Sequence, residues 1–242
     1  MIKHIEIVNN LGLVLRGYLN IPDEATELVV MFHGYTGNKT EHNGMFRKFS
    51  RLLAELNIAS LRMDYACNGE SDGEFIDFRF DQALEDGKLM IDYALGIEQI
   101  NEVSLLGFSM GGAIAALLCN YKPLKKILLI SPAGKLGAKL RETFAVANKD
   151  ENGNIPSVAF PVSEGLISSM EIYNAYSEAM HFKHPVLIIH GTKDLAVNYL
   201  DGIEFAVKFP NATIHLVNGS GHGYENIHYF NELVEKTMNF FK

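Results

Sequence analysis

Two rhythms of apolar residues divide the chain. At its start, Lys3–Val8 and Leu13–Leu19 alternate apolar and polar positions around Asn9-Asn10-Leu11-Gly12. This period of two predicts an antiparallel hairpin with one face open to water. Further on, Leu28–Phe32, Ala59–Met63, Val103–Leu106, Ile127–Ile130, Val186–Ile189 and Thr213–Val217 are short, mostly apolar runs. Strands buried on both faces read this way, so these runs predict the interior of a parallel sheet. Helix-period segments separate them: Met45–Leu56, Asp81–Leu95, Met110–Asn120, Tyr199–Lys208 and Ile227–Phe241. Strand and helix in alternation predict an α/β fold, a mostly parallel doubly wound sheet with right-handed crossovers.

One interval breaks the rhythm. Ala133–Lys183 has no buried-strand signal but carries Gly, Ser and Asn breakers among scattered apolar residues, including Phe144, Phe160, Met170 and Tyr173. A structureless loop of that length does not suit a compact domain, so the segment predicts a mostly helical insertion lying as a lid over the sheet's C-terminal edge. The expected organisation is a core built from 1–132 and 184–242, with an inserted lid subdomain at 133–183.

The sharpest chemical signal is Gly107-Phe108-Ser109-Met110-Gly111-Gly112, between the strand Val103–Leu106 and the apolar helix that follows. Gly-x-Ser-x-Gly in a strand–turn–helix setting is a nucleophile elbow: the tight turn needs small flanking residues and projects the serine beside a helix N-terminus. A serine hydroxyl is a weak nucleophile and needs a base that a third group orients. In elbow folds the acid and the histidine follow the serine in that order. Asp194 sits just past the run Val186–Ile189, and His222 lies in Asn218-Gly-Ser-Gly-His-Gly223 after the next run. Other histidines fit less well: His190 and His215 lie on or beside strands, His181 and His184 close the insertion, and His228 opens the last helix.

A tetrahedral intermediate also needs donors for its oxyanion. The backbone N–H of Met110, next after the nucleophile, is one candidate. The other is Tyr35, in the loop His33-Gly-Tyr-Thr-Gly37 after an early strand; His33 precedes the serine and is expected to brace that loop.

Composition narrows the field. With 21 basic against 29 acidic residues the formal net charge is −8, which argues against nucleic acid as a partner. No apolar run reaches the ~20 residues of a membrane-spanning helix. Two cysteines, Cys67 and Cys119, make no disulfide framework and no metal-site spacing. Charges in Met1-Ile-Lys-His-Ile-Glu6 fall where a signal peptide has its apolar core, so a cytoplasmic location is expected. No cofactor and no metal are called for, and the sequence is compatible with a homodimer.

These segments together resemble the α/β-hydrolase superfamily across the chain, and within it the bacterial carboxylesterases that include feruloyl (cinnamoyl) esterases. The resemblance rests on His33-Gly-Tyr-Thr-Gly-Asn38, Arg62-Met-Asp64 with Gly69-Glu-Ser-Asp-Gly73, the serine elbow, Ile189-His-Gly-Thr-Lys-Asp194 and Gly221-His-Gly223. The chain departs from that group at Phe108 and Met110, where His and Gln are frequent, and at Cys67, where glycine is frequent. The resemblance implies an α/β-hydrolase fold and a serine carboxylesterase acting on short-acyl or aromatic, feruloyl-type esters through an acyl-enzyme. Ser109 would be its nucleophile, His222 its base and Asp194 its acid, with Tyr35 and Met110 as oxyanion donors. A serine nucleophile disfavours relatives that use aspartate or cysteine, but leaves open a monoacylglycerol lipase, a thioesterase, a C–C bond hydrolase or a peptidase. A ligand-binding receptor that retains the triad and turns over slowly also stays open.

Overall fold

A computed structural model describes all 242 residues. Eight strands form one sheet: β1 (Ile2–Val8), β2 (Val14–Asn20), β3 (Glu27–Phe32), β4 (Ala59–Met63), β5 (Glu102–Phe108), β6 (Ile127–Ile130), β7 (Val186–Gly191) and β8 (Ala212–Val217). Their spatial order is β1-β2-β4-β3-β5-β6-β7-β8. β1 and β2 form the antiparallel hairpin, β2 pairs antiparallel with β4, and every other pair is parallel. This is the α/β-hydrolase arrangement, with each sequence-predicted strand within two residues of its observed bounds.

The apolar runs are continuous because both faces of the sheet are covered. Along β3, Leu28, Val30 and Phe32 enter one core layer, while Val29 and Met31 enter the other. Helices α2 (Phe80–Leu95), α3 (Met110–Leu117) and α6 (Tyr199–Lys208) bury Phe80, Ile91, Ile114 and Phe205 in the first layer. Helices α1 (Met45–Glu55) and α7 (Ile227–Phe241) bury Phe46, Phe49, Leu233 and Phe241 in the second. Each fully buried aliphatic or Phe side chain contributes about 1.5–3 kcal/mol by leaving water.

From β3 the chain moves to β4 on one side, then returns to β5 on the other. The sheet order therefore reverses at β3 and β5, and loops leaving their C-terminal ends diverge and open a crevice. The serine elbow and the His33–Gly37 loop sit there.

The insertion departs from the mostly helical expectation. It holds α4 (Leu136–Val146), α5 (Glu164–Glu171) and a single 3-10 turn at Ala179–His181. Between the two helices an isolated antiparallel bridge joins Ile155 to Val162. The reason is local: Asp150-Glu-Asn-Gly-Asn-Ile-Pro156 is rich in turn formers, and Asp150 Oδ1 accepts the N–H groups of Asn152 and Asn154, an alternative to helical hydrogen bonds. Helix α5 docks through Leu166 and Met170, which join the first core layer, and its Ser169 Oγ accepts the N–H of Phe80 at 2.9 Å. No helix of the chain is long and apolar enough to cross a membrane.

Candidate active site

The elbow at the end of β5 is as tight as its glycines suggested. Ser109 has φ 56° and ψ −117°, a strained conformation for a residue with a side chain. A Cβ at Gly107 would lie 2.2 Å from the Gly111 carbonyl oxygen, and one at Gly111 would lie 1.9 Å from that of Phe32. Larger residues are excluded at both positions, so the turn can press its serine against the opening of α3.

The structure brings Ser109, His222 and Asp194 together. Ser109 Oγ lies 3.0 Å from His222 Nε2, and His222 Nδ1 lies 2.6 Å from Asp194 Oδ2. With Nδ1–H donating to the carboxylate, the Nε2 lone pair faces the serine hydroxyl. Asp194 Oδ1 accepts the N–H groups of Ala196 and Val197 at 2.9 and 2.8 Å. Burial on its own would push the Asp194 carboxyl up; hydrogen bonds from His190 and His222 outweigh this and hold it well below the usual carboxylate range. The His222 loop is anchored by Tyr224, whose buried hydroxyl donates to the Ile189 carbonyl at 3.2 Å.

His190, set aside on sequence as a strand histidine, is part of this cluster. Its ring is fully buried, with Nε2 3.2 Å from Asp194 Oδ2 and 3.2 Å from the Val197 carbonyl. Nδ1 has no partner, so the proton belongs on Nε2, where it meets both oxygens; on Nδ1 it would be an orphaned donor. The available signal was its spacing of four residues before Asp194 across a strand end. Of the other histidines that the sequence offered, His215 pairs with Glu232 at 2.7 Å.

His33 braces its loop as expected. Burial lowers its pKa, and its Nδ1 is 2.9 Å from the Gly34 carbonyl oxygen. The Tyr35 N–H makes no hydrogen bond within the fold, and Met110, first residue of α3, has no residue in the preceding turn to accept its own. Both stand next to Ser109, Met110 in sequence and Tyr35 through Gly34, where a Cβ would approach Ser109 Cβ to 3.2 Å.

A cavity of about 370 Å³ opens on Ser109 and His222. Its walls come from the loop Gly34–Asn38 and from Glu41, His42, Phe108, Gly223 and Glu225, and none comes from the insertion. Glu41, His42 and Glu225 carry no motif by which the sequence alone would reveal them. The apolar crevice under the insertion, where Leu136, Met170 and Tyr173 meet Phe80, holds only about 20 Å³. Cys67 and Cys119 are uninvolved: burial pushes their thiols up to about 11 and about 12. No group of three His, Cys, Asp or Glu side chains is arranged to hold a metal ion.

Burial also pushes the Glu41 carboxyl up, from an ordinary 4.5 to about 7, against the opposing pull of the Gly34 N–H. His222, His42 and Glu225 line the same cavity, and the buried Tyr65 hydroxyl feels the Glu41 charge. Between pH 4.5 and 7 the folded protein keeps this proton while the unfolded chain has lost it, so stability drains as pH rises through that window. Glu41→Gln cannot ionise, and its melting temperature relative to the unaltered protein is expected to rise by a few degrees between pH 5 and pH 8. An offset that stays constant across that range contradicts the shift.

Sheet order, crossover pattern and serine elbow define this chain as an α/β-hydrolase. The family model described as serine aminopeptidase, S33 (Hydrolase_4), matches residues 23–161, and the chain belongs to that family of hydrolases. Human monoglyceride lipase is 30% identical over 162 residues, covering 61% of this chain and 50% of that protein. The uncharacterized protein YfhR of Salmonella typhi is 27% identical over 183 residues, covering 74% of this chain and 58% of the relative. The chain thus spans about half the length of the curated relatives it matches. Among solved structures, Est1E from Butyrivibrio proteoclasticus with bound ferulic acid superposes with a TM-score of 0.86 at 23% identity, covering 98% of this chain and 97% of that one. The Pyrococcus furiosus esterase PF2001 gives 0.74 at 21% identity, covering 99% and 90%. These two likenesses concern the fold.

Proposed function

We propose that the protein is a serine carboxylic-ester hydrolase. The observation that carries this reading is the connected line Asp194–His222–Ser109, with spacings of 2.6 and 3.0 Å, at the switch point of the sheet. Ser109 Oγ attacks the acyl carbon as its proton passes to His222 Nε2, and the carbonyl electrons move to an oxyanion that Tyr35 and Met110 N–H groups stabilise. Removing one such donor costs about 10²–10³ in rate. His222 then returns the proton to the departing alkoxide, leaving an acyl group on Ser109. Water, deprotonated by His222, attacks this ester, and the acid leaves as Ser109 regains its proton. Asp194 holds the imidazole in the productive tautomer and stabilises its charged form. No step calls for a cofactor.

The cavity on Ser109 guides the substrate reading. Thr36, Asn38, Glu41, His42 and Glu225 give it a polar wall, which suits a short acyl chain on a hydroxylated alcohol better than a bulky aromatic acid. The same wall favours a second reading, monoacylglycerol hydrolysis, which the likeness to a monoglyceride lipase also supports. Residues 133–183 are read as a lid on the core of 1–132 and 184–242, because the segment starts at the nucleophile: Ala133 N–H donates to the Ser109 carbonyl at 3.0 Å. Two free, buried cysteines suit a reducing, cytoplasmic compartment.

The test is a panel of p-nitrophenyl butyrate, glycerol monobutyrate and methyl ferulate, with Ser109→Ala as control. Both butyrates are expected to be cleaved at least tenfold faster than the ferulate. A dominant ferulate rate would restore the aromatic reading, and a rate unchanged in the variant would remove Ser109 as nucleophile.

A further inference from the structure

Glu41 occupies a conformation that only glycine adopts without cost, with φ 58° and ψ 170°. It also keeps a carboxyl in a half-buried setting beside the reacting groups, with no part in the chemistry above. Two costs at one residue ask for a return elsewhere. Its carboxylate accepts the N–H of Gly34 through Oε2 at 2.9 Å, and the His42 N–H is a second backbone group that acts on it.

Gly34 is a hinge of particular consequence. A glycine has nearly free φ and ψ, and this one joins the peptide unit of His33 to the unit that carries the Tyr35 N–H. A side chain there would crowd Ser109 and Phe108, with its Cβ 3.2 Å from Ser109 Cβ and 3.3 Å from the Phe108 ring. The unit on its far side is gripped through the Gly34 carbonyl, which lies 2.9 Å from His33 Nδ1 and accepts the Gly37 N–H at 3.0 Å. Glu41 grips the unit on its near side. Both torsions of Gly34 are defined only while both grips hold.

We propose that Glu41 is a positioning residue for the reaction: by accepting the Gly34 N–H it fixes the glycine hinge that aims the Tyr35 N–H at the oxyanion. This rests on the ester-hydrolase reading for the role of Tyr35. Glu41 acts through the loop and does not touch the reacting atoms. The strained backbone is what it takes to turn its carboxylate back over the loop it follows.

Three variants separate this role from a merely structural one. Glu41→Ala removes the grip and is expected to lower kcat for p-nitrophenyl butyrate by at least tenfold while KM stays within about threefold, because an oxyanion donor acts in the transition state. Glu41→Gln retains an acceptor oxygen in the same place and is expected to recover kcat to within about threefold of the unaltered protein. Glu41→Gly is expected to lose kcat as the alanine variant does, yet to melt no lower than it, because glycine takes this backbone without strain. Phosphonylation by a fluorophosphonate gives a readout independent of the ester. Ser109 Oγ bonds to phosphorus, the P–F bond breaks, fluoride leaves and His222 takes the proton, with the phosphoryl oxygen in the oxyanion position. Its second-order rate constant is expected to fall at least tenfold in Glu41→Ala and Glu41→Gly and to recover in Glu41→Gln.

Unchanged phosphonylation in Glu41→Ala overturns the proposal. A glutamine variant as slow as the alanine variant overturns the acceptor role, and a change confined to KM would make Glu41 a substrate contact instead. If no ester is turned over while Ser109 is still phosphonylated, the ester reading falls and the phosphonylation rates alone decide on Glu41. A Ser109 that does not react at all overturns both.

Discussion

Ser109→Ala is expected to lower turnover of p-nitrophenyl butyrate by about 10⁶-fold, with His222→Ala close behind and the double variant no slower than either. In the proposed mechanism the serine and the histidine, 3.0 Å apart, act as one proton-transfer unit: an oxygen without its base is a poor nucleophile, and the base without that oxygen has nothing to activate. Their losses therefore do not add. Turnover left in each variant is expected to come from the proposed oxyanion donors and substrate binding, and to amount to about 10³–10⁴ over water. Ser109 Oγ bonds within the fold only to His222, so its removal leaves no other buried group unpaired and the melting temperature should hold. Initial rates of the three variants check this. A Ser109→Ala rate within tenfold of the unaltered protein would remove the serine from the mechanism, and losses that multiply would dissolve the unit.

Asp194→Asn is expected to cost about 10⁴ in kcat. The carboxylate only accepts hydrogen bonds, and this dictates that His222 Nδ1 carries the proton. An asparagine amide can instead donate to Nδ1, which leaves the proton on Nε2 and removes the lone pair that Ser109 needs. Shape and packing are retained, so the loss should appear in kcat with little change in KM. A stability signature accompanies it. The folded-state pKa of Asp194 lies below its unfolded value, so its stabilisation is present above the ordinary carboxylate range and drains as pH falls through and below it. The asparagine variant lacks this term, and its melting temperature should fall less steeply from pH 5 to pH 3. Wild-type kcat in Asp194→Asn, or an unaltered acid slope, would count against the assignment.

The two carboxylates illustrate how environment separates like groups. Asp194 takes N–H groups on one oxygen and imidazoles on the other, and these outweigh its burial. Glu41 has fewer donors and an open cavity before it, and burial dominates. The first is suited to constant charge opposite an imidazole that cycles. The second exchanges its proton near neutrality, yet its Gly34 bond needs only an acceptor lone pair, which explains why glutamine should replace it.

The strands, the core helices and the Ser–Asp–His segments were all legible in the chain because each is written in local composition. A strand covered on both faces must be apolar throughout, as Val29 and Met31 show by entering one layer while Leu28 and Val30 enter the other. An elbow between a strand and a helix must have small residues around its serine, since a Cβ at Gly111 would meet backbone at 1.9 Å. Ser109 and His222, 113 residues apart, could be paired from sequence because the order of strands dictates which loops share the sheet edge. The insertion was legible as an interruption, but its turn-rich middle was not, because scattered apolar residues there do not reveal which of them dock. Only the tertiary structure decided that His190 turns its ring to Asp194, that Glu41 closes on Gly34, and that the cavity at Ser109 has a polar wall from the 34–42 and 223–225 loops. Those contacts depend on where loops cross and which torsions a strained residue is held to. Packing against distant parts of the chain sets them, and no local periodicity encodes them.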